Sequence, residues 1–168
     1  MRAYIAALGV LITAIILTAC STDTDKGELT MSPQELRVVA QDLYQAVTAT
    51  LGEDGWTASE SWSACDALGG AEGVTLHFDA YLRQPLSNEP AVLSERVQAG
   101  WKKLGIDAKI AVNNDLDPAR YILSDPPFRT GVNKDGSFYD LELGAGIANF
   151  SYTSSCVPGD IFELTDQK

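Results

Sequence analysis

The stretch Val74-Thr75-Leu76-His77-Phe78-Asp79-Ala80-Tyr81-Leu82-Arg83 decides the fold. Val74, Leu76, Phe78, Ala80 and Leu82 share one parity; Thr75, His77, Asp79, Tyr81 and Arg83 share the other. Successive side chains of a strand point to opposite faces. The pattern therefore predicts a strand with one apolar and one polar face, as in an antiparallel sheet covered on one side only.

Working upstream, Gly69-Gly70-Ala71-Glu72-Gly73 reads as a turn. Before it, Trp56, Ala58, Trp62 and Ala64 share a parity, which predicts a strand over residues 56 to 65 ending at Cys65. Further upstream, Leu36, Val39, Ala40, Leu43, Val47 and Leu51 recur at steps of three and four, with Tyr44 beside them. That spacing predicts an amphipathic helix with one buried face. Ser32-Pro33-Gln34-Glu35 has the capping-box spacing with proline at the first helical position, and Gly52 stops the helix.

Downstream, Leu93, Val97, Trp101 and Leu104 predict a second helix, capped by Ser87 or Asn88 and ended by Gly105. Ile106, Ala108, Ile110 and Val112 alternate as a strand, and Asn113 to Pro118 turns the chain. Arg120 to Ser124 predicts another strand. Phe128 to Val132 and Ser137 to Leu143 flank the hairpin signal Asn133-Lys134-Asp135-Gly136. Residues 147 to 157 predict the last strand, carrying Cys156. Consecutive strands with short turns and two singly striped helices imply an α+β fold: an antiparallel β-sheet with two α-helices packed on one face. One domain is expected over residues 32 to 160, followed by a loose tail over 161 to 168.

The N-terminus reads as an address. Met1-Arg2 is a positive start, residues 3 to 19 carry no charge, and Leu17-Thr18-Ala19-Cys20 has the form of a bacterial lipobox. A permanent span needs about 20 apolar residues; this run is shorter and ends in small residues. Residues 1 to 19 are thus expected to be a lipoprotein signal peptide, Cys20 the lipidated first residue of the mature chain, and 20 to 31 a polar tether. A diacylglycerol carries two acyl chains, about what stable anchoring needs. The expected location is the outer face of the cell membrane.

Charge narrows the partners. The chain has 12 Lys+Arg against 23 Asp+Glu, a net charge of −11. Nucleic acids and anionic lipid headgroups need a positive surface, so neither is an expected ligand. In an oxidising exterior, the two cysteines left after Cys20, Cys65 and Cys156, most simply form a disulfide. A metal pair or a reactive thiol are the alternatives, but the neighbouring ligands of a metal site are lacking.

Signatures of catalysis are sparse. The chain has no Gly-x-Ser-x-Gly elbow, no His-Glu-x-x-His and no phosphate-binding glycine loop. His77 is the sole histidine, with Asp79 at the next same-face position. A Ser-His-Asp site would need a serine that the sequence does not single out. Asn133 to Gly136 and Asn113 to Asp117 lack the ligand ladder of a calcium loop. Trp56, Trp62 and Trp101 lie on apolar parities and read as core anchors rather than pocket walls. No cofactor or metal is implied.

Beyond these patterns, the lipobox, the first helix, Gly55-Trp56, Ala64-Cys65-Asp66-Ala67-Leu68, Asp135-Gly136-Ser137-Phe138-Tyr139 and Ser155-Cys156 resemble the small actinobacterial lipoproteins called LppA-like. That resemblance implies an envelope lipoprotein with two paired cysteines and no assigned activity, and it supplies no catalytic residues.

The expected function is a binding or interaction module of the cell envelope without catalysis. The alternatives are a carrier of a small apolar ligand, or an envelope hydrolase using His77. Strand parity predicts the interaction surface: His77, Asp79, Tyr81 and Arg83, with Asp107 and Lys109 from one neighbouring strand and Phe138, Asp140 and Glu142 from the hairpin. Its expected partner is another envelope protein.

Overall fold

A computed structural model describes residues 31–67 and 70–165. The signal, lipobox and most of the tether expected at the N-terminus lie outside the described residues. Helix α1 spans Pro33–Leu51 and begins as expected: Ser32 accepts from the Glu35 amide while the Glu35 carboxylate accepts from the Ser32 amide at 2.6 Å. Its buried stripe is Leu36, Ala40, Leu43, Val47 and Leu51.

Strands β1 (Trp56–Asp66) and β2 (Glu72–Leu82) form a long antiparallel hairpin. Helix α2 (Pro90–Lys103) follows, then β3 (Lys109–Asn113), β4 (Arg120–Asp125), β5 (Phe138–Gly144) and β6 (Ile147–Thr153) as consecutive hairpins. β6 returns to pair with β2, giving the order β1-β2-β6-β5-β4-β3. Helix α2 therefore joins β2 to the far edge of the sheet. It packs on β3, β4 and β5, while α1 packs on β2 and β6. The fold is α+β, with an antiparallel sheet and both long helices over one face.

One row of cross-strand partners shows what the covered face holds: Ala58, Ala80, Phe150, Leu141, Leu123 and Ile110. Trp101 closes the core between helix and sheet. It is fully buried, donates from its indole to the Leu43 carbonyl at 3.1 Å, and sits edge-on to Tyr139 and Phe150. Buried aromatic groups with satisfied polar tips carry much of a core's energy.

Five local expectations are corrected. Residues 161 to 165 are not a loose tail: Ile161–Thr165 form helix α3, and Leu164 joins the core. Phe128 to Val132 is not a strand, because β5, its expected hairpin partner, is already paired by β4 on one side and β6 on the other. The turn itself forms, with Gly136 at φ 84 donating to the Asn133 carbonyl at 2.9 Å. The last strand is interrupted. After Thr153 the Ser154 hydroxyl takes the Leu76 amide, and pairing with β2 resumes only at β7 (Val157–Pro158). The cap of α2 is Glu89 rather than Ser87 or Asn88, with Pro90 supplying the first helical position. Finally, Ile106 and Ala108 precede β3, which starts at Lys109.

Cys65 and Cys156 form a disulfide with Cα atoms 6.1 Å apart. It ties the end of β1 to the chain just before β7. Gly73, opposite Cys65, leaves room for it: a Cβ there would lie 2.8 Å from the Cys156 sulfur.

Candidate functional site

The face away from α1 and α2 carries the second parity of every strand. One row across it runs Ser59, Asp79, Ser151, Asp140, Ser124 and Lys109. A second runs Thr57, Tyr81, Asn149, Glu142, Ile122 and Ala111, and a third Ser61, His77, Thr153 and Phe138. The sheet thus gathers His77, Asp79, Tyr81, Phe138, Asp140 and Lys109 on one side, as parity predicts. Arg83 follows β2 and lays its guanidinium over the Tyr81 ring.

The rows are not equally open. Over β1, β2 and β6, Ser59, Ser61, Asp79, Tyr81 and Asn149 are exposed. Over β4 and β5 the face is covered: Ile122 and Ser124 are 3% and 1% exposed, although both point away from the helices. Arg129, in the segment leaving β4 at Asp125, pairs with Asp115, in the turn at the opposite end of β4. The segment between β4 and β5 therefore doubles back toward the start of β4. Asp140, expected on an exposed surface, is half-buried at the margin of this cover, and so is Phe138.

Burial dominates the electrostatics there. Burial first, then the Glu142 and Asp79 carboxylates, push the Asp140 carboxyl up from 3.8 to about 7. Arg120 approaches Glu142 at 3.8 Å and lies over Gly144, where a Cβ would collide with it. Asp79 accepts from Ser151 at 2.9 Å. Lys109 pairs with Asp107 at 2.6 Å. On the covered face, burial and then the hydrogen bond to Asp125 push the Tyr139 hydroxyl well above its usual range.

The raised Asp140 value gives the protein a pH dependence. The unfolded chain ionises this carboxyl in the ordinary range, so between about pH 4 and 7 the folded state holds a proton that the unfolded state has lost. Its stabilising effect is complete below about pH 4 and lost as pH rises through about 7. Asp140→Asn is expected to be more stable than wild type at pH 8 by about 2 kcal/mol, allowing for partial solvent screening, and equal to it at pH 4. Urea unfolding at the two pH values measures both numbers; equal stabilities at pH 8 would contradict the assignment.

His77 has partners that the sequence did not reveal. Its Nε2 lies 2.8 Å from the Ser63 hydroxyl, and its Nδ1 lies 3.3 Å from Thr153 Oγ1. Ser63 opposes Thr75, so it reaches His77 diagonally on the same face. A hydroxyl nucleophile is therefore in contact with the histidine, but the orienting group is a neutral threonine hydroxyl; Asp79 is engaged by Ser151. The two turns weighed for calcium are closed by their own residues. Asp135 accepts from the Ser137 amide, and Asn113 from the Asp115 amide. At the end of the open face, Arg83, Gln84, Pro85, Gly146, Ile147 and Asn149 line a groove of about 530 Å³ that opens widely to solvent.

No protein-family model matches the chain, and no curated protein does. Among solved structures, a DUF4853 family protein from Actinomyces odontolyticus is similar at 14% identity, over 77% of this chain and 71% of that one, with a TM-score of 0.46. At that distance the neighbour carries nothing over to this chain.

Proposed function

We propose that the protein is an envelope lipoprotein, anchored by Cys20, whose domain binds another envelope protein through the open half of its sheet. The observation that supports this reading is the uncovered strip over β1, β2 and β6. There Tyr81, 46% exposed, stands among Ser59, Asp79, Asn149 and Arg83. An exposed aromatic ring inside a mixed polar surface is a typical interface anchor. The resemblance to LppA-like lipoproteins and the lipobox pattern support the location.

Two experiments test it. In cells, Cys20→Ser is expected to leave unprocessed precursor, and intact mass of the mature form to show a lipid on residue 20; an unmodified N-terminus elsewhere would remove the anchor. For the face, covalent capture from envelope extract is compared between wild type and Tyr81→Ala/Asp79→Ala. A partner is expected to fall away from the double variant. Equal retention would exclude this surface.

The Ser63–His77 contact favours a second reading, a hydrolase. It predicts that Ser63→Ala abolishes turnover of an activated ester such as p-nitrophenyl acetate. Turnover no faster than that of the variant rules it out.

A further inference from the structure

Beyond the face, the two edges of the sheet differ. β3, at one edge, has five residues. β1, at the other, has eleven, paired to β2 without a single register break from Trp56↔Leu82 to Asp66↔Glu72. Natural edges of this length are usually guarded by lysine, proline, a bulge or an inward charge. β1 has no lysine, no proline and no bulge. Its one central charge, Glu60, is already paired with Arg37 at 2.8 Å and accepts from the Trp62 indole at 3.1 Å. Around it Thr57, Ala58, Ser59 and Ser61 are exposed and small, which leaves the outward backbone N–H and C=O groups accessible. Helix α3 touches β1, alongside Ala64, Cys65 and Asp66.

Carboxylates flank this open stretch at both ends. Glu53 and Asp54 precede it; Asp66, Glu72, Asp160 and Glu163 lie beyond it, and all six are exposed. None belongs to the four ion pairs among the described residues. Two copies of this chain pairing β1 to β1 in antiparallel fashion would set Glu53 and Asp54 of one against Asp66 and Glu72 of the other. A net charge of −11 per chain adds to that repulsion.

We infer that the β1 edge, between Thr57 and Ser63, accepts an extended segment of a partner protein as an added strand, with lysine or arginine at the segment's two ends. The backbone of β1 supplies affinity through ladder hydrogen bonds, as in other strand-addition complexes. The flanking carboxylates select basic ends and raise the association rate. This goes beyond the face proposal and stands independently of Tyr81.

The probe is a capped synthetic peptide, Lys-Lys-Val-Thr-Val-Thr-Val-Lys-Lys, added to the full chain, with amide hydrogen exchange read by NMR. Alternate amides from Thr57 to Ser63 are expected to gain about tenfold or more in protection, while β3 amides are unchanged. N-methylation of alternate peptide residues on one edge, replacement of its lysines by glutamate, and the edge variant Ser59→Lys are each expected to weaken binding about tenfold. Tyr81→Ala is expected to leave the protection intact, which separates this proposal from the face reading. No protection at millimolar peptide, equal binding of the glutamate peptide, or indifference to N-methylation would overturn it. So would β1 amides whose protection in the free protein rises with protein concentration, because the occupant would then be a second copy.

Discussion

Trp101→Ala is expected to lower the unfolding free energy by about 3–5 kcal/mol, the range for deleting a large buried aromatic. Trp101 is wholly buried at the place where α2 meets both the sheet and α1. Removing it leaves a cavity against Tyr139 and Phe150 and deletes the indole bond to Leu43 in α1. The loss is large against the stability of an ordinary domain, about 5–15 kcal/mol. Urea unfolding is the measurement: the midpoint should fall while the slope stays near the wild-type value. Trp101→Phe keeps most of the volume and loses the indole donor, so it should lie between wild type and Trp101→Ala. A loss below about 1 kcal/mol for Trp101→Ala would mean that α2 is not held by this residue.

Opening the Cys65–Cys156 bridge is expected to have an effect of similar size through the unfolded state. The two cysteines are 91 residues apart, and cross-linking a loop of that length removes chain entropy equal to about 4–5 kcal/mol at room temperature. Cys65→Ala/Cys156→Ala should therefore melt well below the oxidised wild type, and reduced wild type should match the variant. Local consequences are also expected. β7 is only Val157–Pro158, and it is held next to β2 by the bridge and the Ser154 hydroxyl. Amides near Val157 should exchange faster in the variant than those of β5. Identical melting of oxidised and reduced protein would show that the bridge adds no stability.

The proposed function rests on how the sheet is covered. α1 and α2 occupy one face, and on the β4 side of the other Ile122 and Ser124 are buried, where the segment between β4 and β5 reaches back to Asp115 through Arg129. What remains uncovered is the half of the sheet ending at β1. That half offers a polar strip with Tyr81 and, beside it, a long unguarded edge. The groove at Arg83 and Asn149 opens to solvent.

The sequence by itself determined what depends on neighbours in the chain. Period three-and-four spacing and Ser32-x-x-Glu35 specify α1 with its cap, because helix bonds and capping bonds are local. Alternation from Val74 to Leu82 specifies β2 and assigns each of its side chains to a face, because the strand period is two. The same parity placed His77, Asp79, Tyr81, Phe138, Asp140 and Lys109 on one side once the strands were joined. Only the tertiary structure decided which strands are neighbours. Nothing in residues 147 to 153 names β2 rather than β3 as the second partner of β6; that choice depends on how α2 spans the sheet. Hence the Ser63–His77 contact, the half-burial of Asp140 and the cover over Ser124 were not legible. Each joins residues well separated in the chain, and their distances follow from strand register and from the Arg129–Asp115 pair rather than from any local pattern. Phe128 to Val132 failed as a strand for the same reason: local propensity permitted it, but both sides of β5, its hairpin partner, were taken by β4 and β6.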